Sequence, residues 1–434
     1  MRTASTARWL KVSENRRFLV YEDESPFFWL GDTAWELFHR LSREDAELYL
    51  TTRAAQGFTV VQAVALAELD GLTKGNAYDK LPLTQSAGRY DCTRPDVRSD
   101  YNYWDHVDFV VDRAEELGIY IAFLPTWGDK FNRAWGTGPE IFDPANAELY
   151  GRWLGERYKE RANILWVLGG DRPLVKQNHF EVIAAMAAGL KEGDGGRHLI
   201  TFHPDGEQSS SLHVHDQPWL DFNMIQSSHG LADRDNYKMV AKDYALEPVK
   251  PTLDAEPCYE DHPRGFNAVN GYFDEADVRR VAYYAVFAGA FGHTYGHHAV
   301  WSMTTEPSSY FINDWKSALQ KPGAAQMKHL RALMESRPFL DRVPDQTLLN
   351  ENHEGANYAV ATRGESYAYC YSPNGLTLKV ALEKIQGEEF EASWFDPRTG
   401  EFHPVGTYPN RGEQAFTPPS SGRGNDWVLV LDSK

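Results

Sequence analysis

Short apolar runs alternate with helix-length amphipathic stretches over most of the chain. The first run, residues 27–30, ends in Gly31-Asp32-Thr33. Ser42 and Asp45 stand at the spacing of a helix-capping pair and predict a helix to residue 55, stopped by Gly57. Further strand-like runs follow at 58–66, 119–124, 164–168, 199–202, 222–225, 249–253 and 293–301. Helical patterns separate them at 103–117, 143–161, 180–190, 233–244 and 274–288, and a closing helix spans 315–334. In this reading Pro125 closes the third strand. Eight strands alternating with helices over 27–338 predict an α/β fold, a parallel (β/α)8 TIM barrel. A doubly wound sheet is the structural competitor, but the glycine-rich turns lack the spacing of a dinucleotide or phosphate loop.

Helical periodicity ends near Phe339. Beyond it lie short β-rich runs at 358–363, 367–372, 376–381, 391–395 and 427–431, separated by turn clusters such as Pro373-Asn374-Gly375. This predicts a C-terminal antiparallel β-sandwich. The expected division is a catalytic barrel with N-terminal β elements over 1–340 and a sandwich over 341–434.

A barrel gathers its chemistry at the C-terminal ends of its strands, where the following loops converge. Those ends carry Asp32 and Trp35, Gln62, Trp127 and Asp129, Asp171, His203 and Asp205, and Gln226, Ser228 and His229. The last two strands add Asp254, Glu256 and Tyr259, then Tyr295, His297, His298 and Trp301. Carboxylates, imidazoles, amides and indoles dominate, with no phosphate cradle. Two carboxylates among aromatic platforms suit glycoside hydrolysis. One carboxyl protonates the leaving oxygen, and the other attacks the anomeric carbon or activates water. Asp171 on strand 4 and Glu256 on strand 7 stand on opposite sides of such a mouth.

Composition narrows the classes. With 44 Lys plus Arg against 62 Asp plus Glu, the net charge of −18 argues against a nucleic-acid partner. No apolar run approaches ~18 residues, so no membrane partner is expected. Residues 1–12 lack an apolar core, so they do not read as a signal peptide. The expected location is cytoplasmic, or outside the cell if a leader has been removed. Cys92, Cys258 and Cys370 lie far apart and read as free thiols. The 13 Trp, 22 Tyr and 22 Phe exceed what one core needs, which leaves Trp35, Trp127, Trp135 and Trp301 as candidate sugar platforms.

A family resemblance sharpens this. Gly31-Asp32-Thr33-Ala34-Trp35, with Arg40-Leu41, Tyr49-Leu50, Arg53, Gly57-Phe58 and Gln62, resembles the N-terminal signature of the apiosidase-like barrel glycosidases, glycoside hydrolase family 140 and its relatives. Trp166 to Asp171, His203-Pro204-Asp205-Gly206, Gln226 to Gly230, Asp254 to Glu260 and Tyr295 to Trp301 continue the match in order. The C-terminal run resembles the collagen-binding-type β domain that follows that barrel. The resemblance implies a glycoside hydrolase with Asp171 as acid/base and Glu256 as nucleophile, acting on a terminal furanose such as apiose. A retaining mechanism would set the two carboxyls about 5–5.5 Å apart, an inverting one about 6.5–9.5 Å.

The plainer roles remain beside these. Asp171 can cap a helix or pair with Arg172. Glu256 can be a buried acid paired with a barrel histidine. Asp32 can cap its turn instead of binding a sugar. His297 and His298 cannot both face the mouth from a regular strand, because neighbouring side chains alternate. The histidines form no compact metal motif such as HExxH, so neither a metal nor another cofactor is expected, although a metal-dependent hydrolase is a rival class. The other rivals are an arabinofuranosidase or rhamnosidase on the same barrel, and a carbohydrate-binding protein without catalysis.

Overall fold

A strand buried on both faces reads as a nearly continuous apolar run, and Val60–Leu66, buried at all seven positions, is apolar except at Gln62. It is one of eight parallel strands: β1 (Trp29–Thr33), β2 (Val60–Leu66), β3 (Tyr120–Thr126), β4 (Ile164–Gly169), β5 (Ile200–His203), β6 (Asn223–Gln226), β7 (Thr252–Asp254) and β8 (Gly292–Tyr295). The computed structural model describes residues 7–434 except Ala87 and Leu231, so the first six residues of the stretch read for a leader lie outside it. Pairing runs β5-β4-β3-β2-β1-β8-β7-β6, which is the order of a barrel. At the seam between β5 and β6 there is no regular ladder. Asp221 N–H donates to the Ile200 carbonyl (2.8 Å), Ile200 N–H to Asp221 Oδ2 (2.7 Å) and Thr201 Oγ1 to the Phe222 carbonyl (2.6 Å). A two-residue strand, Gln208–Ser209, adds to β6 in antiparallel sense.

Several expected boundaries move, each for a local reason. β1 starts later and takes in Gly31–Asp32–Thr33, which pair with Val60, Val61 and Gln62. A Cβ at Gly31 would lie 2.6 Å from Trp29 Nε1, so only glycine fits there. Pro125 does not close β3, which runs on to Thr126 beside Leu66; Pro125 pairs with neither neighbour, and its carbonyl accepts from Tyr150. The eighth strand stops at Tyr295 instead of reaching residue 301. His297 Nδ1 accepts from Ala299 N–H (3.0 Å) and caps a short helix, His298–Trp301. Proline favours the first turn of a helix, so the closing helix breaks into Trp315–Ala318 and Pro322–Glu335. A hairpin, Leu83–Ser86 with Arg89–Pro95, occupies the loop after β2. A small antiparallel sheet, Leu10–Val12, Leu19–Tyr21 and Pro26–Phe27, precedes the barrel. Among the described residues no helix is long and apolar enough to cross a membrane.

The C-terminal region is two antiparallel sheets of six and three strands. Its central strand, Tyr367–Ser372, serves two cores by simple alternation. Ala368 and Cys370 face the sandwich interior with Leu378, Val380, Phe390 and Leu429. Tyr367, Tyr369 and Tyr371 face the barrel. Tyr371 stacks on Tyr283 (4.9 Å, 14°) and Tyr369 on Phe287 (5.8 Å, 25°), both on the barrel helix Glu275–Phe287. The same helix buries Arg279 against Asp426 (2.6 Å), each 2% exposed, and Tyr371 donates to the same carboxylate (3.2 Å). Removing one member of such a pair strands a buried charge. Arg279→Ala is therefore expected to destabilise the protein by about 3–5 kcal/mol, read in urea unfolding; a loss under about 0.5 kcal/mol would show that the pair carries no stability.

Candidate active site

β4 ends in three successive residues with positive φ: Gly169 (89°), Gly170 (111°) and Asp171 (53°). The glycines are required, since a Cβ at Gly169 would lie 2.4 Å from the His203 carbonyl oxygen and one at Gly170 2.8 Å from Gly128 N. Asp171 has no such excuse, and a left-handed backbone costs a non-glycine residue roughly 1–2 kcal/mol. The strained turn delivers its carboxyl to a cavity of about 560 Å³ at the barrel mouth. There Oδ2 accepts from Arg172 Nη1 (2.9 Å) and Trp135 Nε1 (3.3 Å).

Glu256 follows β7 and reaches the same cavity. Its main-chain carbonyl accepts from Ser228 N–H (3.0 Å), another residue held at positive φ (71°). His203 lies between the two acidic residues. Its Nδ1 accepts from Asp171 N–H (3.4 Å), which leaves the ring proton on Nε2, 2.9 Å from Glu256 Oε2 though off the line of a directional hydrogen bond. His229 Nε2 approaches Oε1 at 3.3 Å. The His229 ring is held between Tyr259 and His262, each 4.3 Å away.

The two carboxyls are pushed apart in acidity. Burial, then the nearby Glu256 charge, raises Asp171 above the usual carboxylate range; Arg172, His203 and Trp135 oppose this. Burial also works against ionisation of Glu256, but His203 and His229 outweigh it and hold the group well below its ordinary value. One acid poised to keep its proton and one poised to stay ionised form the pattern of an acid/base pair.

Of the residues singled out in the sequence, Trp35, Trp127, Asp171, Gln226, Ser228, His229, Glu256, Tyr259 and Trp301 line this cavity. His203 stands behind it, against Glu256. Asp32, Gln62, Tyr295 and His297 do not line it, and their expected sugar contacts give way to protein partners. Asp32 is fully buried, taking the Arg53 Nε–H and the Tyr49 hydroxyl, both at 2.6 Å. Gln62 Nε2 donates to the Ala255 carbonyl (3.0 Å). Tyr295 donates to Glu260 (2.6 Å), and His297 Nε2 lies 3.0 Å from Asp261. Strand-end counting missed Glu68, which lies two residues beyond β2 and obeys the same rule. It also missed Glu207, His262, Phe266 and Tyr310, which stand on irregular loops with no periodic signal. Trp135, Asp205 and His298 also line the cavity.

Seven buried polar atoms on the described lining make no hydrogen bond to protein: Trp127 Nε1, Asp205 Oδ1, Gln226 Oε1, His229 Nδ1, Glu256 Oε2, the Tyr259 hydroxyl and His298 Nε2. Buried polar groups are ordinarily paired. Here donors and acceptors share the lining with Trp35, Trp127 and Trp301, a mixture that suits the hydroxyls and C–H faces of a sugar. Trp301 Nε1–H donates to His298 Nδ1 (3.3 Å), so His298 offers its Nε2–H to the cavity. Among the described residues no three His, Cys, Asp or Glu side chains converge as a metal ion requires.

The chain matches known proteins over both regions. A family model described as "Apiosidase-like, catalytic domain" matches residues 13–341, and one described as "Putative collagen-binding domain of a collagenase" matches residues 343–432. Among solved structures, one described as "Glycoside hydrolase" is 34% identical with a TM-score of 0.90, over 98% of this chain and 97% of that one. A glycoside hydrolase family 5 structure from Bacteroides vulgatus ATCC 8482 is 35% identical with a TM-score of 0.90, over 98% of this chain and 94% of that one. No curated protein matches.

Proposed function

Because the chain belongs to the apiosidase-like family of glycoside hydrolases, we propose that it is a retaining, exo-acting member that releases a terminal furanose such as apiose, with Asp171 as acid/base and Glu256 as nucleophile. The observation that carries this reading is the placement of the Asp171 and Glu256 carboxyls on one cavity, the first beside Arg172 and the second beside His203 and His229; burial and these neighbours push the two acidities apart. In the first step Asp171 protonates the glycosidic oxygen as that bond breaks, and Glu256 bonds to the anomeric carbon as an ester. In the second, Asp171 takes a proton from water, the water oxygen bonds to the anomeric carbon, and the Glu256 carboxylate leaves. His203 and His229 serve both steps by stabilising the carboxylate that attacks and departs. A cavity of about 560 Å³ suits one terminal sugar and the start of its aglycone.

The test is hydrolysis of a panel of aryl and plant glycosides (apiosides, arabinofuranosides, rhamnosides, galactosides), with the anomer first released followed by NMR. Fastest release from apiosides, with configuration retained, is expected. Faster arabinofuranoside or rhamnoside cleavage would replace the glycone. An inverted product would make Glu256 a base rather than a nucleophile. Binding with no release from any glycoside would overturn the catalytic reading.

A further inference from the structure

Arg172 is an unusual neighbour for a general acid. It is fully buried, and its Nη1 donates to Asp171 Oδ2 (2.9 Å) and to the Asp171 carbonyl (2.7 Å). A guanidinium so placed favours the ionised carboxylate. Left to act alone, it would draw off the proton that Asp171 must carry into the first step. The structure supplies a counterweight. Arg172 Nη2 donates to Glu68 Oε1 (2.9 Å), and Glu68 also lines the cavity. The Trp135 ring covers the guanidinium at 4.7 Å. Two glycines make room for it: a Cβ at Gly136 would lie 2.6 Å from Nη2, and one at Gly128 2.7 Å from Cγ. The site is shaped around one cation shared by two carboxyls.

We propose that Glu68 is a positioning residue for the acid/base, which by sharing Arg172 keeps the proton on Asp171 until the leaving oxygen takes it. Burial raises the Glu68 carboxyl itself to about 6, with Arg172 opposing and Asp171 and Asp129 adding to the rise. As pH climbs through that range Glu68 ionises and its charge meets Arg172, so the guanidinium pulls less on Asp171. The other groups facing Asp171 are Glu256 after β7, which helps hold the proton, and His203 on β5, which opposes it. Behind Glu68, Asp129 is paired with Lys130 (2.5 Å). Once Asp171 has given up its proton, the same Arg172 stabilises the carboxylate that will activate water.

This rests on Asp171 being the acid/base, and the experiment separates the two claims. The kcat/KM of wild type, Glu68→Gln, Glu68→Asp and Asp171→Ala is measured against pH on an unactivated alkyl glycoside, whose leaving oxygen must be protonated. The alkaline limb reports the acid in the free enzyme. With Glu68→Gln the limb is expected to move acidward by about 1 pH unit, with KM within about twofold. Glu68→Asp keeps the charge and is expected to stay near wild type. A Glu68→Gln limb that coincides with wild type would overturn the proposal, whatever happens to KM; a raised KM with an unmoved limb makes Glu68 a sugar ligand. If the limb persists in Asp171→Ala, the acid/base assignment itself falls.

Discussion

Glu256→Gln is expected to lower kcat by about 10⁴-fold or more while leaving the protein folded. The amide matches the carboxylate in shape and cannot form the ester. Its carbonyl oxygen keeps an acceptor for His229 Nε2, 3.3 Å away in the parent. Its NH₂ replaces the oxygen that faces His203 Nε2, so one favourable contact is lost. The stability change is expected to be small, because the substitution removes a buried charge along with that contact. Initial rates on an aryl glycoside, beside a thermal melt, provide the check. Turnover within tenfold of wild type would remove Glu256 from the role of nucleophile.

Asp171→Ala is expected to lower kcat by about 10²–10⁴-fold on substrates with a poor leaving group. The loss should shrink on aryl glycosides whose leaving group departs without a proton. The glycosyl-enzyme should then accumulate, since nothing activates the second water. Azide, which needs no general base, is expected to restore turnover and yield a glycosyl azide of the substrate's own configuration. In the parent enzyme the rate should fall as acid protonates Glu256, and fall again as base removes the proton from Asp171. The direction of each shift sets the limbs: Glu256, lowered, gives the acid limb, and Asp171, raised, gives the alkaline one. Asp171→Ala turnover equal to wild type on unactivated substrates would exclude the assignment.

The barrel was legible because its signal is repeated. The strands are short and mostly apolar, and helical patterns separate most of them, several with a cap such as Ser42, Asp143 or Asp274. The ends were less legible, for physical reasons. Gly31, Asp32 and Thr33 look like a turn in sequence, yet Gly31 and Asp32 pair on both sides, Thr33 pairs with Gln62, and the lack of room for a Cβ explains the glycine. Residues 296–301 look like a strand by composition, yet a histidine cap turns them into a helix. The same limits shaped the site. A strand-end rule places Asp171 and Glu256 on one cavity, but it cannot tell which polar side chain looks outward. Asp32 is drawn inward because Arg53, on the helix Arg43–Ala55 that follows β1, is buried and needs a counter-charge. Nor can the rule find Phe266 or Tyr310, whose places depend on how irregular loops fold over the mouth.

The strand Tyr367–Ser372 belongs to two interiors at once, with its cysteine and alanine side in the sandwich and its tyrosine side on the barrel. A wall shared in this way has no outside. A barrel severed from the sandwich would present Tyr283, Phe287 and the Arg279 charge to water, and a severed sandwich would present a ladder of tyrosines. Either half alone would carry a sticky face of the kind that drives association. The two regions are thus expected to unfold as one cooperative unit, however separable they look along the sequence.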